Sequence, residues 1–487
     1  MSDLNQAPKK KTMGMLMLSM ISVAAVLSVR NYPSMANEGW QLLTWYFVGS
    51  FLFLLPLALV SAELASAWPS GGGIYSWIEE AFNTKTGFMA IWAVVVENIP
   101  WYPTVLSFIA VSIAYIFSPD PHAHILGLPN NVFLAVVMLV VWWGLTLFNF
   151  LGPAIAAKLS SAGTLLGAII PSVVLIILGL AWISTGKPSQ LPPFTWSGLV
   201  PKMNIGALVY SSSIILTFAG IEMSGYYASQ VSNPQKSYPR AMFLATIIIF
   251  VLSVLGTLPI AMVIPMKDIS LSGGVIQVTE TMFSAFGMGW AVPIMAILLA
   301  IGGISLMSTW MLGPLLSMVP ISKAGTLPKF FRKENKHGSP TGTLLVQGIL
   351  ITFLAIAMAV IPGINEVYWV FSSYTTTLLC IYYLPIFAAV IKLRYKQPDA
   401  PRPFKIMGGK PGVWIIAGLG FISTVFSGIM ALIRPDGVTN ISFWGYFLMM
   451  IVGTLIWMLP FWLFRIFKKP GWAEITEKEG SVAEKHQ

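Results

Sequence analysis

The sequence predicts an all-α polytopic membrane protein of about twelve transmembrane helices, and three observations carry that prediction. The 487 residues are 56% hydrophobic and 9% charged, with a mean hydropathy of +0.78, a composition that soluble domains do not have. Apolar runs of roughly 20 residues, the length that crosses a hydrocarbon core of ~30 Å, recur about twelve times. The basic residues between these runs also fall overwhelmingly on one side. The runs are continuous rather than alternating, so they are helices. A lipid interior leaves unsatisfied backbone groups no partner, and barrel strands would be shorter with strict alternation.

In chain order the runs cover 13–35, 42–66, 87–117, 131–150, 159–184, 204–229, 239–264, 286–318, 341–361, 366–391, 412–433 and 442–466. The first follows Lys9, Lys10 and Lys11, as a signal peptide's apolar core would, but it is too long and lacks a small-residue cleavage site, so it is expected to stay as a helix. With the amino terminus in the cytoplasm, 23 of the 28 Lys and Arg face inward. Four (Lys187, Lys202, Lys267, Arg434) face outward, and Arg30 lies in or beside the first span. That asymmetry predicts a protein of the cell's inner (cytoplasmic) membrane with both termini in the cytoplasm. The net charge of +10 then belongs to topology and anionic-lipid contact, and nucleic acid is not an expected partner.

The helix count suggests two sets of five, 13–184 and 204–391, followed by two further helices in 412–466 and flanked by tails 1–12 and 468–487. Inverted-repeat transporters place their site at the midplane, where corresponding helices of the two halves are interrupted. The first helix of set one reads AVLSVRNYP, with Ser28, Arg30, Asn31 and Pro33 breaking it. The first of set two reads LTFAGIEMSG, with Gly220, Glu222 and Gly225. The repeat rests on this count and these paired breaks. Three segments between spans are expected at the inner interface: WPSGGGIYSWIEEAF (68–82) as a glycine turn and short amphipathic helix, the basic and aromatic stretch 321–340, and a proline and glycine loop at 398–412.

Charges within the spans are expensive, so each is a functional candidate. Glu63 lies near the inner end of the second span, where reaching the interface or capping the next segment would also explain it. Glu97 sits mid-helix in the third span beside Asn98 and ahead of Pro100 and Pro103; it is a candidate for gating or proton coupling, with a helix-to-helix hydrogen bond as the alternative. Glu222 follows Gly220, where an unwound backbone would expose groups able to meet a substrate's carboxylate and ammonium. Burial makes its charged form costly, so it is a candidate for proton coupling, against a structural hydrogen bond. Arg30 would pair with a substrate carboxylate, with Glu97 or with Glu222, or else reach the outer headgroups. Trp310, mid-span near Ser305 and Ser308, would wall a small-molecule pocket or simply pack.

The single cysteine, Cys380, allows no intramolecular disulfide, and the four histidines form no metal-ligand pattern, with His122 and His124 reading as a solvated turn beside prolines. No phosphate-binding glycine loop, nucleophile elbow or metalloprotease pattern is present, so neither an enzyme nor a cofactor or metal is expected.

FAGIE at a helix break followed by SNPQKSYPRAM (232–242) resembles the sixth-helix signature of the amino acid, polyamine and organocation transporter superfamily. LPIAMVIPMKDISLSGGVIQ (258–277), STWMLGP (308–314), AGTLPKFF (324–331) and RPFKIMGGK (402–410) are similar to the glutamate/γ-aminobutyrate antiporter family. The resemblance implies a LeuT-type fold of twelve helices with alternating access, and exchange or proton-coupled uptake of an amino acid. It implies that Leu27 and Ser28 form the first-helix break, that Asn98 contacts substrate, and that Thr217, Phe218, Ala219 and Gly220 line the sixth-helix break. It further implies that Glu222 couples the site to an inner gate and that Trp310 walls it. AVLSVRNYP replaces the glycine-rich first-helix motif of many relatives, and KKPGWAEITEKEGSVAEKHQ is unlike the longer C-terminal plug of acid-resistance antiporters, so acid gating is not expected. The expectation is therefore a secondary amino acid transporter whose partners are an amino acid, the bilayer and a proton. Glutamate/γ-aminobutyrate exchange leads, neutral amino acids follow, and cationic amino acids or polyamines come last because of Arg30. A transporter-like sensor is the second class, and a membrane-embedded enzyme the third. Sodium coupling and oligomeric state have no legible signature.

Overall fold

The computed structural model describes residues 13–69, 72–120, 124–360 and 364–473. Among these residues eleven helices are long and apolar enough to span a bilayer: Met15–Ala36, Gln41–Ala67, Thr84–Ala114, Asn130–Asn149, Pro153–Ser184, Pro234–Val263, Gly289–Lys323, Thr341–Met358, Glu366–Lys396, Gly409–Ala431 and Phe443–Ile466. The twelfth predicted run, 204–229, departs from a plain span. It is a 14-residue helix, Ile205–Phe218, then a two-residue break at Ala219 and Gly220, then a 3-10 segment, Ile221–Gln230. Counting it as the sixth, the chain is an all-α polytopic membrane protein, numbered below as spans one to twelve.

Two other spans carry a π turn just ahead of a proline. In the second, a π turn at Ser50–Leu54 immediately precedes Leu55–Pro56; in the fifth, Leu165–Ile169 precedes Ile170–Pro171. A proline has no N–H for the carbonyl four residues back, and a wider turn accommodates the loss without breaking the helix. The third span carries Pro100 and Pro103 inside one continuous helix, Thr84–Ala114.

Burial sorts the spans into an inner and an outer set. The most apolar window of the third span is 94% buried, against 28% for the fourth and eleventh and 17% for the twelfth, so the third is the centre and the others face lipid. Lipid tails are as apolar as leucine, so helices associate in a bilayer through close packing and hydrogen bonds. The fifth and eighth spans show this. A Cβ on Gly167 would fall inside the backbone of Gly302, and the Ser305 hydroxyl donates to the Ser160 carbonyl at 2.7 Å.

The chain's described ends share one face of the bundle. Ser232 N–H donates to the Met13 carbonyl at 3.1 Å, and Arg332 donates to the Trp472 carbonyl at 3.0 Å. On this face the short helix predicted within 68–82 appears as Gly73–Ala81, though it is packed into the bundle rather than lying on it: Trp77 and Ile78 are buried, and Trp77 fills the space at Gly225. Ser70 and Gly71 of its glycine turn lie outside the described residues. On the opposite face a helix at Gly274–Ala285 was not anticipated, because it is too short and mixed in polarity to stand out between two spans. His124 there belongs to a two-residue hairpin strand, His124–Ile125 paired with Leu128–Pro129, while His122 lies outside the described residues.

Glu63 neither reaches the interface nor caps the next segment. It is 1% exposed and accepts a bidentate pair from Arg394 (Nε to Oε1 2.6 Å, Nη2 to Oε2 2.7 Å), plus the Ile406 N–H at 2.9 Å. Arg402 stands 3.5 Å from Oε1 and holds the loop after the tenth span by donating to the Leu393 and Gln397 carbonyls, both at 2.8 Å. The predicted loop at 398–412 is thus pinned to the second and tenth spans by one carboxylate.

Candidate functional site at the paired helix breaks

Both anticipated interruptions exist and they meet. The first span is helical over Met15–Val26, passes through extended Leu27 (ψ 99°) and Ser28 (φ −121°, ψ 105°), and resumes as a 3-10 turn, Val29–Asn31, before Tyr32–Ala36. In the sixth, helix ends at Phe218, Ala219 is extended, and Gly220 takes φ +114°, which side-chain-bearing residues rarely adopt. Space also demands glycine there, since a Cβ would lie 2.6 Å from the Trp310 ring and 2.9 Å from the Ala25 carbonyl oxygen.

Backbone groups freed by the breaks are taken by side chains from other spans. Trp310 Nε1 donates to the Ala25 carbonyl at 2.9 Å. Gly220 N–H donates to the Tyr383 hydroxyl at 2.9 Å, and that hydroxyl donates to Glu222 Oε1 at 2.8 Å. A chain of hydrogen bonds therefore runs from the sixth-span break through the tenth span to the buried carboxylate. Glu222 Oε2 is buried without a partner.

Two narrow, water-sized cavities adjoin the first break, and their linings share Ser28 and Leu306. The first is lined by Leu27, Arg30, Val105, Phe108 and the Gly302–Gly303 pair; the second by Asn31, Glu97, Trp101, Ala219 and Trp310. Arg30 is 2% exposed and does not reach the headgroups. Nor does it pair with Glu97 or Glu222. Nη1 donates to Thr104 Oγ1 at 3.0 Å and Tyr368 Oη at 3.1 Å, the guanidinium lies 5.4 Å from the Tyr368 ring centre and 5.9 Å from that of Trp101, and Nε has no partner. Among the described residues it has no anionic neighbour within ion-pair distance. Glu97, 2% exposed, likewise keeps Oε2 without a partner.

The amino acid permease family profile matches this chain over residues 13–456. The chain belongs to the amino acid permease family. It is 35% identical to an uncharacterized transporter of Legionella pneumophila over 93% of this chain and 97% of that protein. It is also 31% identical to a glutamate/γ-aminobutyrate antiporter of Lactococcus lactis over 94% and 91%. A probable agmatine/putrescine antiporter of Lactococcus lactis is 26% identical over 86% and 87%. As a permease, this chain is a multi-pass membrane transporter and not an enzyme.

Within this permease the anticipated residues divide. Leu27, Ser28, Arg30, Glu97, Ala219 and Trp310 border the cavities. Glu222 and Gly220 stand beside them, joined by Tyr383. Phe218 turns away to pack on Tyr46, with ring centres 5.8 Å apart, and Thr217 is buried but outside both linings. Asn98 spends its amide on the Val94 carbonyl of its own helix at 2.6 Å and borders neither cavity. Four contributors were not anticipated: Trp101, Thr104, Tyr368 and Tyr383. Trp101 and Thr104 follow Glu97 by four and seven residues, the spacing of one helix face, which was a usable signal. Tyr368 and Tyr383 carry no local signature beyond a hydroxyl inside an apolar span.

Proposed function

We propose that this permease is a secondary active amino acid transporter of the cytoplasmic membrane, with its substrate site between the broken first and sixth spans and both termini in the cytoplasm. The observation that carries the reading is the meeting of the two breaks around cavities bordered by two buried charges, Arg30 and Glu97, with a third, Glu222, beside them. A charge at a bilayer's centre costs about 3 kcal/mol, and among the described residues Arg30, Glu97 and Glu222 have no counter-ion within ion-pair distance. The placement of breaks in the first and sixth of twelve spans supports two inverted sets of five, 13–184 and 204–391, with two appended helices. The bias of Lys and Arg supports the orientation.

Glutamate/γ-aminobutyrate-type exchange is the substrate reading, supported by the Lactococcus relative and by an unpaired cation facing the cavity, which opposes cationic substrates. Glu222 is the proton-coupling carboxylate in this reading. Protonation would weaken its acceptance of the Tyr383 hydroxyl and so be felt at Gly220. The test is exchange in proteoliposomes loaded with unlabelled glutamate and offered labelled amino acids at acidic and neutral pH. Uptake of glutamate or γ-aminobutyrate that requires internal substrate is the expected result. Uptake confined to neutral amino acids would move the chain to another substrate branch, and no uptake of any amino acid would leave a binding sensor as the reading.

A further inference from the structure

We infer that the turn over Lys405–Lys410 and the first two turns of the eleventh span form a binding site for an anionic phospholipid, with Lys405 and Lys410 on its headgroup and Met407 beside the acyl chains where they join it. This goes beyond the transport reading and does not depend on which substrate is carried.

The turn is built to hold one shape. Ile406 is buried, and its N–H is held by the Glu63 carboxylate at 2.9 Å. Arg402 ties the residues just before it to the end of the tenth span through the Leu393 and Gln397 carbonyls. Gly408 and Gly409 then take φ of +81° and +64°, and the Gly412 N–H donates to the Gly408 carbonyl at 3.0 Å. Two consecutive residues in the left-handed region reverse the chain, which side-chain-bearing residues resist. Residue 407 is left at the tip, next to a neighbour anchored on a buried carboxylate.

What the tip presents is apolar and cationic together. Met407 is 86% exposed, more than any other large apolar side chain among the described residues. Lys405 and Lys410 flank it, both exposed, and neither has a carboxylate within ion-pair distance among the described residues. Lys410 Nζ stands 4.5 Å from the centre of the exposed Tyr395 ring, and Trp414 Nε1 donates to the Tyr395 hydroxyl at 3.1 Å. An apolar side chain held in water is costly, whereas at a membrane boundary the same side chain is already among lipid.

The eleventh span fixes the depth. It begins at Gly409 and is one of the least buried spans, so its outer surface meets lipid. Trp414 and Ile415 are exposed on it five and six residues in, roughly 8 Å along the axis at 1.5 Å per residue. Tryptophan and tyrosine gather at headgroup level, so the Tyr395–Trp414 pair puts Lys410 and Met407 there too. The apolar surface of the tip is thus continuous with a lipid-facing helix, and both charges beside it complement an anionic headgroup. Because the turn is already ordered, little conformational freedom is lost when a lipid binds.

Two measurements test this on the full chain. In the first, Met407→Cys carries an environment-sensitive fluorophore in reconstituted vesicles, the lone Cys380 being buried. Phosphatidylcholine brominated high on its acyl chains should quench that label. In the second, the thermal unfolding midpoint in detergent is followed while solubilised phosphatidylglycerol, or phosphatidylcholine with the same acyl chains, is added. Phosphatidylglycerol should bind tighter, by roughly fivefold for each lysine. Replacing both, Lys405→Gln with Lys410→Gln, should therefore reduce that preference by about twenty-five-fold. Lys329→Gln with Lys333→Gln, in the other basic stretch, should leave it as it is. Met407→Ser should weaken both lipids and keep their ratio, and glycerol phosphate, the headgroup charge without chains, should leave the midpoint unmoved. The inference is overturned if the label is not quenched, if the two lipids shift the midpoint equally, if the Lys405/Lys410 variant keeps the preference, or if glycerol phosphate reproduces the shift. The lipid comparison on the unaltered protein stands even where a variant fails to fold.

Discussion

Two regions of this permease bury the same chemistry and treat it oppositely. At the face shared by the chain's ends, Glu63 is 1% exposed and meets two guanidinium groups and a backbone N–H. At the paired breaks, Glu97, Glu222 and Arg30 are as deeply buried, yet each keeps an atom without a partner. The contrast teaches that burial alone does not mark a functional charge in a membrane protein. Glu63 is a fastener, because removing it strands two arginines. The midplane groups also bond neighbouring spans, but only to neutral partners, and each keeps a polar atom free.

That contrast can be broken or sharpened by measurement. The largest effect is expected from Glu63→Gln, which leaves Arg394 and Arg402 without their counter-ion and should cost about 3–5 kcal/mol of stability, read as a lowered unfolding midpoint in detergent. Glu97→Gln, by the same assay, should stay within about 1 kcal/mol or gain stability, since it removes a buried charge that nothing neutralises. Equal losses in the two variants would erase the distinction. Next in size is Tyr383→Phe, which cuts the link from Gly220 to Glu222 and should slow exchange by roughly tenfold to a hundredfold, as the loss of a hydrogen bond to a charged group does. Glu222→Gln should then flatten the pH dependence of exchange in reconstituted vesicles, and a profile like that of the unaltered protein would remove it from proton coupling. The smallest effect belongs to Trp310→Phe, which keeps the ring but loses the donation to Ala25, about 1 kcal/mol, visible as a modest rise in the apparent KM.

The sequence made the spans, the breaks and the buried charges legible for one physical reason. In hydrocarbon every charge and every interruption of a helix is costly, so each stands out against a leucine background. Arg30, Glu97, Glu222 and Gly220 were visible on that ground. Their partners were not. Tyr383 is 161 residues from Glu222, Tyr368 is 338 from Arg30, and Arg394 is 331 from Glu63, and a hydroxyl or an interfacial arginine is cheap enough to need no explanation where it stands. The Gly274–Ala285 helix escaped for the complementary reason, being too short to be read as a span and too mixed to contrast with a loop.

The pairing of Met13 with Val231 and Ser232, together with the Ser22–Ser224 hydroxyl contact at 2.9 Å, has a mechanical meaning. The halves of the first and sixth spans nearest the chain's ends are stitched to each other at two levels, so a swing that preserves those stitches carries both as a single lever. The work of such a swing falls on the doorstop, where Trp77 meets Gly225 and Gly73 meets Tyr226. Spin labels at 13 and 232 would keep one distance through the transport cycle while labels at 77 and 225 would not, and the lone, buried Cys380 leaves a quiet background for attaching them.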